Sequence, residues 1–335
     1  MANIARLRRD SKMKLRFATF VFIPLLLLAW AIAPFHILAQ SKIENPPKSI
    51  TKESSFVVAG YIPDYQLAHW SGDVDSLTDL IYFGASVSKD GRFDSGGLSP
   101  KHAQLLKKKK EASGCRLLFT VGGWNKSQGF AKLVADVQLR EQWIRDAKAY
   151  CLTHGFDGID YDWEHPKGER QIESYAQLLT ETHKEFAKHK LIVTVAIAGW
   201  QDLNKEAFAA VDRVHLMSYD HDFPHATMEK SKADVARLLK AGCPASKIVL
   251  GIPFYGRNME GHAKSYAQLT QGNPLDSSVD LIDGHAINGP ATVADKVRFA
   301  RNEKLAGVMI WELGLDAAGA NSLLNSIRKE ASADR

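Results

Sequence analysis

The chain has 335 residues, 45% of them hydrophobic and 24% charged, a balance that excludes a disordered, collagen-like or multi-span membrane protein. Its net charge of +5 sits in the head: residues 1–40 hold Arg6, Arg8, Arg9, Lys12, Lys14 and Arg16 against Asp10, leaving 37 basic and 37 acidic residues in the remainder. A neutral body has no basic footprint for nucleic acid, and Cys115, Cys151 and Cys243 lack the C-x-x-C spacing of a zinc ribbon or thioredoxin motif.

From the N-terminus, the basic stretch ends at Arg16 and an uncharged apolar run follows from Phe17 to Ala39. Ile37-Leu38-Ala39 before Gln40 is an acceptable cleavage site for an export signal. The run is also long enough to span a bilayer, although Pro24 and Pro34 interrupt it. Residues 1–39 are therefore expected to be a signal peptide or an uncleaved anchor. In either case the body is exported, to the periplasm, the medium or the outer face of the membrane, with membrane contact only through an uncleaved head. Residues 40–55, with Pro46-Pro47, read as a polar linker, and 56–335 as one domain.

Within the body, short apolar, β-branched runs at 56–62, 80–86, 116–121, 156–161, 191–197, 213–219, 247–254 and 306–311 alternate with amphipathic segments at 101–113, 138–154, 169–189, 231–241 and 291–304. Continuous apolar strands signify a parallel sheet covered by helices, and eight such units predict a (β/α)8 TIM barrel in a single domain. No phosphate-binding glycine motif follows any strand, which removes a nucleotide-binding fold. The connections after strands one and five are too short for a full helix. The segment 258–305 before strand eight looks too short for both a helix and an α+β insertion, so no large insertion and an open cleft are expected.

The fourth run carries the chemistry: Asp157-Gly158-Ile159-Asp160-Tyr161-Asp162-Trp163-Glu164-His165. Strand alternation puts Asp160, Asp162 and Glu164 on one face. Three carboxylates in a barrel mouth repel one another and resist desolvation, so at least one must hold a proton near neutral pH, as a general acid requires. A calcium loop starting at Asp160 fails, because His165 and Gln171 fall where a glycine and a bidentate glutamate are needed. No zinc spacing accompanies these acids, and neither metal nor cofactor is expected.

Asp157-x-x-Asp160-x-Asp162-x-Glu164 resembles the D-x-x-D-x-D-x-E signature of the family 18 glycoside hydrolases, the chitinase-like (β/α)8 enzymes. Thr120-Val121-Gly122-Gly123 is similar to the family's S-x-G-G with Thr for Ser, and Met217-Ser218-Tyr219-Asp220 matches M-x-Y-D. The segment Gly251 to Gly256 resembles the family's strand seven, and Trp311 stands where the family has its sugar-stacking tryptophan.

The resemblance implies retaining hydrolysis of β-1,4-linked N-acetylglucosamine polymers in which the substrate's acetamido group is the nucleophile. Glu164 would be the acid, Asp162 would orient the amide, Asp160 would share a proton behind it, and Tyr219 would hold the carbonyl oxygen. Trp311 would floor the sugar, with Tyr61, Asp220, Met217, Tyr255 and Arg257 as further sugar contacts. The implied partner is the polymer, and the chain is expected to be a monomer. Peptidoglycan or glycoprotein glycans as substrate, or a non-catalytic lectin on the same fold, are the alternatives. Asp157 reads as structural. Cys115 and Cys151 both fall at the base of the barrel, where pairing is left open.

Overall fold

Strands that read as unbroken apolar runs fold as strands buried on both faces. The computed structural model describes residues 56–332 apart from Ser71 and 272–274, so the head and linker lie outside the described residues. Among the described residues, the strands Val57–Pro63, Asp79–Val87, Arg116–Gly122, Gly158–Asp162, Ile192–Ala198, Arg213–Met217, Ile248–Pro253 and Gly307–Trp311 pair in parallel in that order. Parallel pairing of the first strand with both the second and the last closes the barrel.

The predicted helices appear at Pro100–Ser113, Val137–His154, Gly168–Ala187, Met228–Lys240 and Pro290–Asn302. Their ends follow ordinary capping chemistry. The Ser99 side chain accepts from His102 N and the Asp136 side chain from Gln138 N and Leu139 N, while Gly114 and Gly155 close the following ends in the left-handed region. As anticipated, the connection after the first strand holds no helix, and that after the fifth holds only Lys205–Ala210. Two hydrophobic clusters result. One lies between helices and sheet, and a smaller one inside the barrel joins Ala59, Tyr61, Phe83, Leu118, Tyr219 and Met309.

One expectation is corrected. The segment between strands seven and eight holds the helix Pro290–Asn302 and also a miniature antiparallel sheet of Tyr255–Arg257, Ala263–Ser265, Leu281–Ile282 and His285–Ala286, with the short helix Tyr266–Thr270. Strands of two or three residues are too short to show periodicity, so the run read as loop. The insertion remains small. The three cysteines are buried free thiols, so Cys115 and Cys151 do not pair. Asp157 is structural: it accepts Leu117 N at 2.8 Å and pairs with Lys110 Nζ at 2.7 Å, tying the start of strand four to its neighbour and a helix.

Candidate active site

Strand register sets the first layer. Thr120 lies beside Asp160, and Asp160 beside Thr194, on three adjacent strands with inward side chains. Asp160 is fully buried and accepts from Tyr61 Oη at 2.7 Å, Thr120 Oγ1 at 3.2 Å and Thr194 Oγ1 at 2.5 Å, with His215 Nδ1 at 3.2 Å from Oδ1. Both oxygens are thus held by hydroxyl donors that stabilise a carboxylate.

Asp162, one step toward the mouth, is treated differently. It is buried, and its Oδ1 has no hydrogen-bond partner. Burial first, then the charges of Glu164 and Asp160, push its carboxyl well above the usual range. Glu164 is the outermost of the three. Burial and then the charge of Asp220 push it up to about 7, against an opposing pull from the Trp124 backbone N–H. A carboxyl poised near neutrality at a cleft is suited to donate a proton and take one back.

The glycine pair at the end of strand three is needed to hold the end of strand four. Gly122 and Gly123 have φ of 103° and 95°, and a Cβ on them would lie 2.2 Å from the Asp162 carbonyl oxygen and 2.4 Å from the Phe83 ring. Their close approach lets Gly123 N donate to Asp162 O at 2.6 Å. Ser127 Oγ accepts Glu164 N at 3.0 Å, and its own hydroxyl reaches Asp162 O.

Strands six and seven bring the next group. Asp220 accepts from Tyr255 Oη at 2.5 Å, Arg257 Nε at 2.6 Å and Arg257 Nη2 at 2.9 Å. Burial alone would raise Asp220, but bonds from His225, Tyr255 and Arg257 outweigh it and bring the carboxyl down to about 2. Asp220, Tyr255, Arg257 and Trp311 line one cavity of about 540 Å³ together with Gln66 and Leu315. Trp311 is half-buried over Phe83 and Tyr61, at centroid distances of 5.1 and 5.6 Å. Tyr219 is buried beside Tyr255, and burial followed by the charges around it keeps its phenol protonated. Half-buried Met217 packs against the barrel cluster that contains Tyr219.

The structure therefore gathers the predicted residues at one mouth but changes one assignment. Tyr61 is 1% exposed and its hydroxyl is committed to Asp160 and to His215 Nδ1, both at 2.7 Å. It lies beneath the site and is no sugar contact. Thr194 and His215 were missed, and the available signal was a polar residue facing inward from a strand buried on both faces. The exposed rings of Trp124 (74%) and Trp200 (64%) follow strands three and five at the same end of the barrel. Trp200 lines a second cavity of about 620 Å³ with Pro166, Gln201 and Leu203.

A closed parallel barrel with a carboxylate row at the C-terminal end of one strand and an aromatic-lined cleft beside it defines a glycoside hydrolase. Residues 57–316 match the model of the glycosyl hydrolases family 18, and the chain belongs to that family. It is a chitinase-like member. Chitinase 1 of Aphanocladium album is 28% identical over 317 residues, covering 77% of this chain and 74% of the relative. Probable chitinase 2 of Drosophila melanogaster is 26% identical over 60% of this chain and 56% of its own length. Among solved structures, the chitinase ChiB of Flavobacterium johnsoniae superposes with a TM-score of 0.74 at 25% identity, covering 83% of this chain and 94% of that one. A plant class V chitinase mutant from Cycas revoluta, in complex with (GlcNAc)3, shares the fold at 21% identity, with a TM-score of 0.71 over 83% of this chain and 99% of that one.

Proposed function

We propose that the protein is an exported retaining hydrolase of β-1,4-linked N-acetylglucosamine polymers that uses the substrate's own acetamido oxygen as nucleophile. The carrying observation is the contrast at the end of strand four: Asp162 buried with its Oδ1 unpaired and its carboxyl pushed well up, Glu164 at the rim and pushed up to about 7. Burial disfavours the charged form of Asp162 that a nucleophile needs, so a scheme in which Asp162 attacks the anomeric carbon has no support. Its unpaired Oδ1 suits it instead to accept an amide N–H.

Glu164 protonates the glycosidic oxygen while the acetamido oxygen of the −1 sugar attacks C1 from the other side. The leaving sugar departs with the proton, and an oxazolinium ion remains. Asp162 orients the acetamide and, on passing its proton to Asp160 behind it, offsets the positive charge as a carboxylate. The protonated Tyr219 hydroxyl holds the attacking oxygen in place, and Trp311 stacks under the ring. The Glu164 carboxylate then takes a proton from water as it opens the oxazolinium, returning retained product and a reloaded acid. The (GlcNAc)3 held by the Cycas relative is a ligand of the expected class.

Mass spectrometry of products from chitooligosaccharides and from peptidoglycan fragments tests the substrate. Cleavage of peptidoglycan alone would overturn the assignment to chitin. Export rests on the head sequence, and the mass of the N-terminal peptide of the secreted protein distinguishes cleavage near Gln40 from an anchor. A full-length soluble cytosolic product would sink both.

A further inference from the structure

His165, the residue after the catalytic acid, has its ring held from both ends. Nδ1 is 2.8 Å from Gln201 Oε1, and the ring meets the Trp200 face edge-on at 4.4 Å. Its other nitrogen, Nε2, is 3.6 Å from Glu164 Oε2. The surroundings fix the tautomer. Gln201 Oε1 also accepts Ala198 N at 3.3 Å, and Gln201 Nε2 faces the Trp163 carbonyl at 3.5 Å, so the amide oxygen is the atom presented to His165. Nδ1 must therefore be the donor, and in the neutral imidazole Nε2 is a bare lone pair aimed at Glu164. A separation of 3.6 Å is longer than a hydrogen bond, and catalytic contacts of this kind tighten in the complex with substrate.

We infer that His165 is the positioning partner of Glu164: the two side chains hold one catalytic proton between them, with Gln201 fixing which imidazole nitrogen takes part. The inference rests on Glu164 being the acid. The proton is written either on Glu164, donated to Nε2, or on Nε2 beside a Glu164 carboxylate. Moving between the two forms changes no other bond. When substrate protonation uses the Glu164 form, the pair is left with none until water returns one.

A proton shared by two bases leaves at a higher pH than it would leave either one alone, so His165 extends the loaded state of the acid toward alkaline pH. The other titratable groups interacting with Glu164 are Asp162, the last residue of strand four, and Tyr219 and Asp220 beyond the end of strand six. None of them changes in the variants below.

The test uses His165→Phe, which keeps a ring against Trp200 and removes Nε2, and Gln201→Leu, which removes the acceptor that fixes the tautomer. The alkaline limb of kcat/KM on chitooligosaccharides should move down by about one pH unit in His165→Phe, and in the same direction by less in Gln201→Leu. At pH 8 the loss should be about 10-fold on the natural linkage and under about 2-fold on an aryl glycoside whose leaving group needs no proton. An unmoved limb, or equal loss on the two substrates, would overturn the inference. Should either variant fail to fold, ¹⁵N NMR of histidine-labelled wild-type protein reads the tautomer directly. Nδ1 protonated with Nε2 bare at alkaline pH supports the pairing, and the reverse tautomer refutes it. Glu164→Gln is the control: full activity there would remove the acid assignment itself, whereas its loss with an unmoved His165→Phe limb removes only the pairing.

Discussion

The Tyr61 hydroxyl donates to Asp160 Oδ2 at 2.7 Å, linking the first barrel strand to the fourth beneath the site. Burial, then the charge of Asp160, holds the phenol well above its usual range, so it remains a donor throughout the working pH range. Together with Thr120 and Thr194 it holds Asp160 in place behind Asp162. Tyr61→Phe removes that donor and no sugar contact. Steady-state kinetics on chitooligosaccharides should show kcat down about 10-fold, or ~1.4 kcal/mol, with KM within about 2-fold. A large rise in KM with unchanged kcat would restore Tyr61 as a substrate contact.

Glu164→Gln keeps the shape of the acid and removes its proton. Turnover of unactivated oligosaccharides should fall at least about 100-fold, while binding measured by calorimetry stays within a few-fold, because affinity resides in Trp311 and the polar groups of the cleft.

Much of this site was legible because its chemistry is concentrated in short strand ends. Asp160 and Asp162 could be put on one face from the two-residue alternation alone, and the eight apolar runs fixed the barrel that gathers them. Tyr61 was misread because a tyrosine at a strand end has the same sequence appearance whether it faces the cleft or the barrel axis. Only the first strand's register with its neighbours turns it inward. Thr194 and His215 sit in strands one would call apolar, and their role arises from contact with a residue on another strand. The miniature sheet after strand seven escaped because its strands are shorter than one period of any pattern.

Asp220 tests the electrostatics of the acid. Its carboxylate, brought down to about 2, is negative throughout the working range, and its charge raises Glu164 after burial has done so. Asp220→Asn removes that charge and frees the Arg257 guanidinium. Both changes favour ionised Glu164, so the acid loses its proton at lower pH. The alkaline limb of the kcat/KM profile should therefore shift down, by about half a pH unit or more. A shift upward would contradict the assignment of Glu164 as the group titrating there.

Gly123 tests the clamp on the acidic strand. An alanine there needs a φ of 95° and a Cβ 2.4 Å from the Phe83 ring. Gly123→Ala should lower unfolding stability by about 1–3 kcal/mol in urea titration, and it should depress activity further by displacing the Asp162 carbonyl that Gly123 N holds. Unchanged stability with full activity would mean the loop relaxes freely and the close approach has no role.

The acetamido group is tested by deleting it from the substrate. Burial disfavours the charged form of Asp162 and Asp160 is enclosed by hydroxyls, so neither is placed to attack an anomeric carbon. An aryl glycoside built on a glucose oligomer offers the same leaving group, which removes the demand on Glu164, but it carries a hydroxyl where the nucleophile should be. Its rate should be at background, at least about 1,000-fold below that of the N-acetylglucosamine counterpart, since an oriented intramolecular nucleophile is worth effective molarities far above that. On the N-acetylglucosamine substrate, Asp162→Asn should still depress the rate, through lost orientation and charge stabilisation of the oxazolinium, even though leaving-group protonation is no longer limiting. Comparable rates on the two glycosides would require a nucleophile from the protein, and substrate-assisted catalysis would have to be abandoned.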